Sequence, residues 1–399
     1  MASKPLSLRP HPRQPPTLDP TIPPSSKNRA GRVQITQTTI SAIQAGFYLH
    51  PTLQTRIPIP PITSTVFHSE TASLRSASTY DTRYETRIHI LPLTTLAATS
   101  LLIKALNPRS TTTNNDDESN NNDDDHGDPA KSVTLLSFAS ATKPGGGYLT
   151  GASAQEETIA RSSNLAVSSL EKEEGVKFHI LCKRSEDKRG GYYTDSVVWS
   201  GGVSVLREDS GEWLERVQRV GVVTAAAVNA GLVRRREREK AGWKQGEKKG
   251  EVKKEEEKSQ EEKSQEETKD AKEKYKNKSM KEKKEKGKGK GKTREKVEFI
   301  FDPEVEQRIA TGMKKRMTRI LEVCLHHDAR NLVLGSFGTG VFRNNVEMVA
   351  RTWMELLGPD GEFEGNFQRI AFGVLDDETV ELWEGFAKDA GIVVEELQG

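Results

Sequence analysis

The sequence predicts a three-layered α/β fold, and three observations predict it. Short apolar runs typical of buried strands, such as SVTLLSFAS (132–140), alternate with segments of helical periodicity. A glycine-rich loop directly follows two of these runs, as at the ligand sites of α/β folds. The 399 residues are 30% charged and only 34% hydrophobic, but the polar excess is confined to a few segments and leaves enough apolar sequence for a core.

The predicted elements follow one another in a regular order. The first helix is predicted within 27–48, because Val33, Ile40, Ile43 and Phe47 fall on one helical face. Strands are predicted at 86–93, 132–140, 177–182, 196–206, 219–230, the start of 331–345, and 367–377. Further helices are predicted at 94–106, 155–170, within 297–327, at 346–357 and in the closing segment ETVELWEGFAKDAG. The apolar face of the helix within 297–327 carries Ile309, Met313, Met317, Ile320, Leu321 and Cys324.

A single domain spanning 27–399 is predicted, with polar segments before and within it. Residues 1–26, rich in Pro, Ser and Thr, are expected to form a disordered arm. Low-complexity insertions at 108–130 and 234–296 have no apolar stripe to pack. The second insertion is interpreted as a solvated segment; alternatively, its basic tract at 281–296 acts in nuclear import or contacts nucleic acid.

Composition also indicates the compartment. Cys182 and Cys324 are the only cysteines, which excludes a disulfide framework and a cysteine-rich zinc site. A reducing intracellular compartment is expected, in the nucleus and/or the cytoplasm. The chain has no apolar run long enough to span a membrane, and its start lacks a secretory signal. The expectation is therefore a soluble monomer without membrane association.

The stretch FASATKPGGGYLTGASAQEE (138–157) places three consecutive glycines seven residues before Gln-Glu-Glu. Consecutive glycines cost conformational entropy, but they let a backbone approach a ligand closely and offer N–H groups to a diphosphate. Two adjacent carboxyl groups suit acid/base or glycosyl chemistry on that ligand. A second glycine loop, GSFGTGVF (335–342), also follows a strand, and neither loop has the P-loop or dinucleotide fingerprint. A diphosphate site is predicted; the alternative is that both loops are tight turns.

The glycine and Gln-Glu-Glu motif resembles the signature of the poly(ADP-ribose) glycohydrolases. Further stretches resemble the microbial type of this family, in the same order along the chain: 192–209, 222–231, 331–350 and 365–376. The resemblance implies a macrodomain-like α/β/α fold with a mixed central sheet and an ADP-ribose cleft at the strand ends. It also implies hydrolysis of the ribose–ribose O-glycosidic bond of poly(ADP-ribose), which reverses ADP-ribosylation in the DNA damage response, without a metal or cofactor.

The resemblance further implies roles for individual residues. Glu157 would be the catalytic acid, Glu156 would position ribose hydroxyl groups, and Phe342 would pack on the distal ribose. The other substrate-binding residues that it implies are Ser140, Gly145, Gly146, Gly147, Gln155, Gly335, Ser336, Gly338, Thr339, Gly340 and Val341. His326 and His327 are adjacent in the sequence and are expected at the surface or at a helix end, not as metal ligands.

Several residues depart from the family pattern, among them Phe337 in place of Trp, and Gly201, Ala226 and Val228 in regions where the family often has Pro. Ser137 and Lys143 stand where the microbial type often has Asn, and Thr339 stands where it often has Cys. The smaller Ser137 is expected to leave a contact to the distal ribose unmade. Two alternatives therefore stay open: a macrodomain that binds ADP-ribose without turnover, and a hydrolase of a different ADP-ribosyl or NAD-derived substrate. The expected partner is poly(ADP-ribose) or an ADP-ribosylated protein.

Overall fold

The structure, a computed structural model, describes residues 25–74, 84–107, 132–240 and 302–397. The chain divides into two compact units, one formed by Met1–Leu232 with Ile309–Gly399 and the other by Val233–Arg308. The predicted arm at 1–26 and the predicted insertions at 108–130 and 234–296 fall almost entirely outside the described residues. Among the residues that are described, no helix is long and apolar enough to cross a membrane.

Strands and helices alternate along the larger unit. The strands are β1 (Phe47–Leu49), β2 (Arg56–Pro58), β3 (Ser64–His68), β4 (Arg87–Leu91), β5 (Val133–Phe138), β6 (Val197–Arg207), β7 (Trp213–Ala225), β8 (Asn331–Gly335) and β9 (Arg369–Gly373). The helices are α1 (Arg29–Ala45), α2 (Thr95–Leu106), α3 (Gln155–Ser162), α4 (Glu173–Arg189), α5 (230–240), α6 (Pro303–His326), α7 (Val346–Leu357) and α8 (Asp377–Asp389). A 3₁₀ turn (Tyr148–Thr150) precedes α3, and a π-helical turn (Ala166–Leu170) follows it.

Seven strands form one mixed sheet in the order β3-β6-β7-β5-β8-β9-β4. The strands from β7 to β4 run parallel, and β6 and β3 join antiparallel at one edge. β5 lies in the middle, where Leu135 pairs with Val222 of β7 and with Val333 of β8. All three side chains are fully buried, as the continuous apolar pattern of central parallel strands requires. The predicted mixed α/β fold is confirmed.

Local sequence signals set the ends of the helices, and tertiary packing sets their faces. Asn28 begins α1, since its side chain accepts the Gly31 N–H at 2.7 Å, and Gly46 ends it at a φ of 78°. The apolar face predicted for α6 is confirmed, because all six of its residues are at most 1% exposed. The face predicted for α1 is partly confirmed, because Ile40 and Ile43 are half-buried and pack against buried residues. Its buried residues are Gly31, Ile35, Thr36, Thr39 and Ala42, whereas Phe47 belongs to β1.

Two predictions in the middle of the chain are corrected by the structure. Residues 177–182, predicted as a strand, lie inside α4. A short apolar run fits a strand or a buried helix equally well, and here the fully buried Phe178 and Cys182 are four residues apart on one helical face. The helix predicted at 155–170 is interrupted, because α3 ends at Ser162 before the π-helical turn begins. The short strands β1 to β3 were not predicted.

The hairpin of β6 and β7 is long and irregular. The pairing register shifts between Ser200 and Val203 and again between Val205 and Arg207, and Gly202 has a φ of +66°. Shifts of this kind bend a strand pair. The tip of the hairpin, at 208–212, consequently reaches the region beside the start of α2, where the side chain of Thr94 hydrogen-bonds to Asp209.

The smaller unit is described only at 233–240 and 302–308. These residues belong to the end of α5 and the start of α6. Arg234 and Glu306 form an ion pair at 2.6 Å within this unit.

Candidate active site

A cleft of about 720 Å³ lies at the carboxyl ends of the parallel strands. Its first wall is the loop after β5 (residues 139–154, the catalytic loop) with the start of α3. Its second wall is the loop after β8 (residues 336–342, the second loop). Its third wall is formed by the segments that follow β4 and β9. Ligand sites of open α/β sheets form where such strand ends meet.

The cleft collects the residues that the sequence singled out. Apart from Gly145 and Gly335, every predicted catalytic or substrate-binding residue lines it. Gly145 is part of the catalytic loop but is buried on the side away from the cleft, where an added Cβ would stand 3.0 Å from the Tyr148 ring. Gly335 ends β8, and an added Cβ there would stand 2.6 Å from the carbonyl oxygen of Gly373. These two glycines therefore support the cleft from behind.

Glu156 is a buried carboxyl group in the first turn of α3, only 3% exposed. Its Oε2 accepts the backbone N–H of Ser140 at 2.6 Å. Burial raises the pKa of Glu156 to about 8, and the neighbouring Glu157 adds to this, against hydrogen bonds from the backbone of Ser140 and Gly145. At neutral pH the Glu156 carboxyl group is therefore mostly protonated. Its Oε1 is buried and has no hydrogen-bond partner among the described residues.

Glu157 follows in the same turn and also lines the cleft. Its Oε1 accepts the backbone N–H of Gly147 at 2.9 Å. Its Oε2 is buried, and no described residue hydrogen-bonds to it. Each carboxyl group thus has one oxygen held by a backbone N–H of the catalytic loop and one oxygen without a protein partner in the described structure.

Gly146 lies directly against both carboxyl groups. Its φ is +60°, and an added Cβ would stand 2.4 Å from Glu157 Oε1 and 2.8 Å from Glu156 Oε2. No side chain fits at these distances, and this backbone conformation favours glycine. The glycines of the catalytic loop therefore bring the backbone onto the protein's own carboxyl groups.

Four backbone N–H groups of the second loop have no hydrogen-bond partner among the described residues. Those of Gly338, Gly340, Val341 and Phe342 donate to no residue that the structure describes. In the catalytic loop, by contrast, the N–H groups of Gly146 and Gly147 are both bonded to protein oxygens. A run of unpaired N–H groups suits an anion. The second loop is therefore the better candidate for holding a diphosphate.

The shape of the second loop is fixed from behind by Asn344. Its Nδ2 donates to the carbonyl oxygens of Val228 at 2.8 Å and Gly338 at 3.0 Å. Gly338 has a φ of +74°, and an added Cβ would stand 2.4 Å from the Ala227 side chain. The loop is therefore shaped before any ligand arrives, which lowers the entropy cost of binding.

Two aromatic side chains of the second loop have different environments. Phe337 is fully buried and packs on Phe138, with ring centroids 5.6 Å apart. Phe342 is half-buried at the cleft and packs on Tyr193 at 5.9 Å. Phe342 therefore presents an aromatic surface to the cleft, in keeping with the role predicted for it, whereas Phe337 belongs to the core.

Gln155 lines the cleft, but its side-chain amide is committed to the protein. Its Oε1 accepts the Phe138 N–H at 2.8 Å, and its Nε2 donates to the Leu136 carbonyl at 2.7 Å and to Thr95 Oγ1 at 3.0 Å. These bonds tie the start of α3 to the end of β5 and to α2. The geometry assigns Gln155 a positioning role for the two glutamates that follow it.

Three arginines hold three consecutive carbonyl groups at the end of the catalytic loop. Arg29 Nε donates to the Thr150 oxygen at 2.7 Å, and Arg32 Nε donates to the Gly151 oxygen at 2.8 Å. Both amino groups of Arg161, which is 3% exposed, donate to the Ala152 oxygen.

Arg161 lies one turn after Glu157 on α3 and within its electrostatic reach. Burial lowers the pKa of Arg161 to about 10, and Arg32 adds to this, whereas Glu157 and Asp209 oppose it. No described carboxylate pairs with Arg161 within ion-pair distance. The catalytic loop is thus fixed to α1 and α3 by guanidinium groups.

Comparison with known proteins shows which family part of the chain is similar to. Residues 36–208 match the model of the microbial-type PARG catalytic domain, where PARG stands for poly(ADP-ribose) glycohydrolase. This region of the chain is therefore similar to the catalytic domain of the microbial-type PARG family. The matched region contains the catalytic loop and both glutamates, so the resemblance drawn from the motifs is confirmed. No curated protein matches the chain.

Solved PARG structures extend the likeness beyond the matched region. The PARG of Thermomonospora curvata bound to the inhibitor ADP-HPD is 26% identical, with a TM-score of 0.58 over 90% of this chain and 100% of that chain. The PARG of Deinococcus radiodurans in complex with ADP-ribose is 25% identical, with a TM-score of 0.53 over 82% of this chain and 95% of that chain. The α/β fold of this chain is therefore that of bacterial PARG structures.

The departures from the PARG pattern lie in different environments. Ser137 is fully buried on β5 and does not line the cleft, so the ribose contact that it was expected to leave unmade stays a prediction. Lys143 is exposed and lines the cleft beside the glutamates. Thr339 also lines the cleft, but its hydroxyl donates to the Ser336 carbonyl at 3.0 Å within the second loop. Of the three, only Lys143 places a new charge in the cleft.

Sequence reasoning missed the third wall of the cleft. Leu93–Leu96 follow β4, and Gly373–Asp376 follow β9. Both could have been found by taking the carboxyl end of every parallel strand as part of the site. Asp209 gave no such signal, because only the bend of the hairpin brings it to the cleft. Burial raises the pKa of Asp209, opposed by the 2.5 Å hydrogen bond from Thr94 Oγ1.

None of the described histidines lines the cleft. His326 is exposed at the end of α6, whereas His327 is half-buried and stacks on Trp199. Its Nε2 lies 2.8 Å from Nε2 of His68. His327 is therefore a packed residue, which corrects part of the expectation of a surface position. Among the described residues, no group of three or more His, Cys, Asp or Glu could hold a metal ion.

Proposed function

We propose that this protein hydrolyses the ribose–ribose O-glycosidic bond of poly(ADP-ribose) and releases ADP-ribose. The observation that carries the proposal is the pair of adjacent carboxyl groups in a cleft that ends in an anion-binding loop. Backbone N–H groups hold Glu156 and Glu157 on one side. The other oxygen of each has no partner among the described residues. The bacterial PARG structures, one with an inhibitor and one with ADP-ribose, support the same reading of the cleft.

The second loop and Phe342 bind the terminal ADP-ribose unit. Its diphosphate accepts hydrogen bonds from the unpaired N–H groups of Gly338, Gly340 and Val341. The ring of Phe342 packs against the distal ribose. These contacts place the anomeric carbon of that ribose next to the two glutamates.

Glu156 and Glu157 divide the chemistry between them. The mostly protonated Glu156 hydrogen-bonds to the ribose hydroxyl groups as a neutral group. Glu157 donates a proton to the leaving oxygen while the bond from the anomeric carbon to that oxygen breaks. As a carboxylate, Glu157 then takes a proton from the water that attacks the oxocarbenium-like carbon. The products are ADP-ribose and a polymer shorter by one unit.

The proposal is tested with purified protein, its Glu157→Gln variant and long-chain poly(ADP-ribose). We expect the wild type to release ADP-ribose. The variant should lose turnover by about 100-fold or more, the usual scale for general acid/base catalysis. Calorimetry should show that the variant still binds ADP-ribose, because Gln keeps the size of the side chain and an oxygen that can accept the Gly147 N–H.

Each other outcome contradicts a stated part of the proposal. A variant with most of the wild-type rate would remove Glu157 as the acid. A wild type that binds ADP-ribose and releases none from the polymer would indicate a binding module or a hydrolase of another ADP-ribosyl substrate. A wild type that does not bind ADP-ribose would contradict the assignment of the cleft as an ADP-ribose site.

A further inference from the structure

We propose that Lys143 and Arg29 form a second anion subsite, which takes the diphosphate of the ADP-ribose unit on the leaving side of the broken bond. The inference rests on the proposed function, and it concerns the unit beyond the one held by the second loop. Lys143 lies in the catalytic loop and Arg29 begins α1.

The charges that line the cleft carry the first step. Five lining residues can be charged, and four of them are carboxyl groups: Glu156, Glu157, Asp209 and Asp376. Lys143 is the one cation among the described lining residues. A polymer with two phosphate charges per unit is repelled by carboxylates and attracted by cations. A cation beside the glutamates therefore matters most for a substrate that extends past them.

The second step is the state of the Lys143 side chain. Its backbone is fixed, because its carbonyl oxygen accepts the Gly146 N–H at 3.0 Å. Its side chain is exposed and makes no hydrogen bond or ion pair with any residue that the structure describes. The ammonium group is therefore available at a fixed place in the catalytic loop, three residues before the glycine that touches both glutamates.

Arg29, the first residue of α1, supplies a second cation, which contacts the end of the catalytic loop from outside the cleft lining. It is exposed, and its Nε holds the Thr150 carbonyl while its two amino groups have no partner among the described residues. The first turn of α1 contains no acidic residue, so the positive end of the helix adds to this charge. Lys143 thus precedes the three glycines of the catalytic loop in the sequence, and Arg29 contacts the Thr150 carbonyl that follows them.

The chemistry of the polymer places an anion there. The leaving oxygen belongs to a ribose that carries its own diphosphate on the 5′ carbon, a few bonds away. Since Glu157 contacts the leaving oxygen, that diphosphate lies next to the catalytic loop. The diphosphate of the terminal unit lies against the second loop, on the opposite wall. The two loops therefore serve two successive units of the polymer.

The experiment measures binding, so that it does not depend on turnover. In a Glu157→Gln background, affinity is measured for ADP-ribose and for a polymer of two units, with Lys143→Asn, Arg29→Gln and both together. Each substitution should weaken binding of the two-unit polymer about two- to fivefold, the scale of an exposed ion pair, and flatten its salt dependence. Affinity for ADP-ribose should stay at the level of the background.

Two controls separate charge from structure. Arg29→Lys keeps the cation without the bidentate geometry, so it should restore most of the polymer affinity that Arg29→Gln loses. Lys104→Asn, at an exposed position on the last turn of α2 outside the cleft lining, should leave both affinities as they are.

Two outcomes would overturn the proposal. One is a double variant that binds the two-unit polymer as well as the background does. The other is an equal loss of affinity for ADP-ribose and for the polymer, which would place Lys143 on the terminal unit. Failure of the proposed hydrolysis is seen separately, as a wild type without turnover.

Discussion

The two glycine loops of the cleft look alike in sequence and use their glycines in opposite ways. In the catalytic loop, backbone N–H groups hold Glu156 and Glu157, and Gly146 lies against both carboxyl groups. In the second loop, the N–H groups of Gly338, Gly340, Val341 and Phe342 donate to no described residue, and an added Cβ at Gly340 would meet nothing within 4 Å. One loop positions carboxyl groups of the protein, and the other has N–H donors that no described residue uses. A glycine-rich pattern alone does not distinguish these two uses.

The largest expected effect separates the two loops directly. Gly146→Ala forces a Cβ into both carboxyl groups at a φ of +60°, so it should lower turnover by about 100-fold or more through misplacement of the glutamates. Gly340→Ala is the matched control in the second loop and should change the free energy of unfolding by no more than about 0.5 kcal/mol. Steady-state release of ADP-ribose and thermal melting check both. Equal stability loss in the two variants would contradict the comparison.

The next effect concerns the pH dependence of stability, which arises from the carboxyl group that the catalytic loop covers. The pKa of Glu156 in the folded protein, about 8, lies above its ordinary value of 4.5. The protonated form is favoured by folding, so its contribution to stability is full below pH 4.5 and is lost as the pH rises through 8.

Glu156→Gln removes this titration while keeping a neutral side chain. We expect the variant to gain free energy of unfolding over the wild type as the pH rises from about 5 to about 9, by up to about 4–5 kcal/mol. Melting temperatures of both proteins across that range measure the difference. A stability difference that does not change with pH would contradict the raised pKa.

The smallest expected effect tests the clamp behind the catalytic loop. Arg161→Met removes both hydrogen bonds to the Ala152 carbonyl and the charge beside Glu157. Turnover should fall about tenfold, because the end of the loop that leads into the two glutamates of α3 is less well held. Binding of ADP-ribose, which depends on the second loop, should change far less.

Arg161→Lys distinguishes position from charge in the same clamp. It keeps the charge and one donor, so it should recover part of the turnover that Arg161→Met loses. Its pH–rate profile should be that of the wild type, because the charge beside Glu157 is kept. An Arg161→Met variant that loses ADP-ribose affinity as much as turnover would show that the two loops are not independent.

Most of the sheet could be predicted from the sequence, because buried parallel strands have continuous apolar patterns that short-range reasoning detects. The strand at 132–140 and the helix face from Ile309 to Cys324 are examples. The strand predicted at 177–182 was wrong, because a six-residue apolar run is too short for its period to distinguish a strand from a buried helix. Short edge strands such as β2 escaped because their pattern is mostly exposed.

The candidate site divides in a similar way. The motif indicated the two glutamates and both loops, and all but two of the predicted residues line the cleft. Asp209, Asn344 and Arg161 could not be found from the sequence, because each acts through a partner far away along the chain. Long-range contacts depend on how the hairpin bends and how helices pack, which local patterns do not encode.

By itself, the sequence determined the fold class, the resemblance to the microbial-type PARG family and the identity of the two carboxyl groups, since these depend on residue types at fixed spacing. Only the tertiary structure decided what the glycines do, where the charges lie and which glutamate is buried. Burial is a property of the packed molecule, and so is the raised pKa of Glu156 that follows from it. The glycine positions of both loops are visible in the sequence, but the hydrogen-bond partners of their N–H groups depend on the tertiary structure.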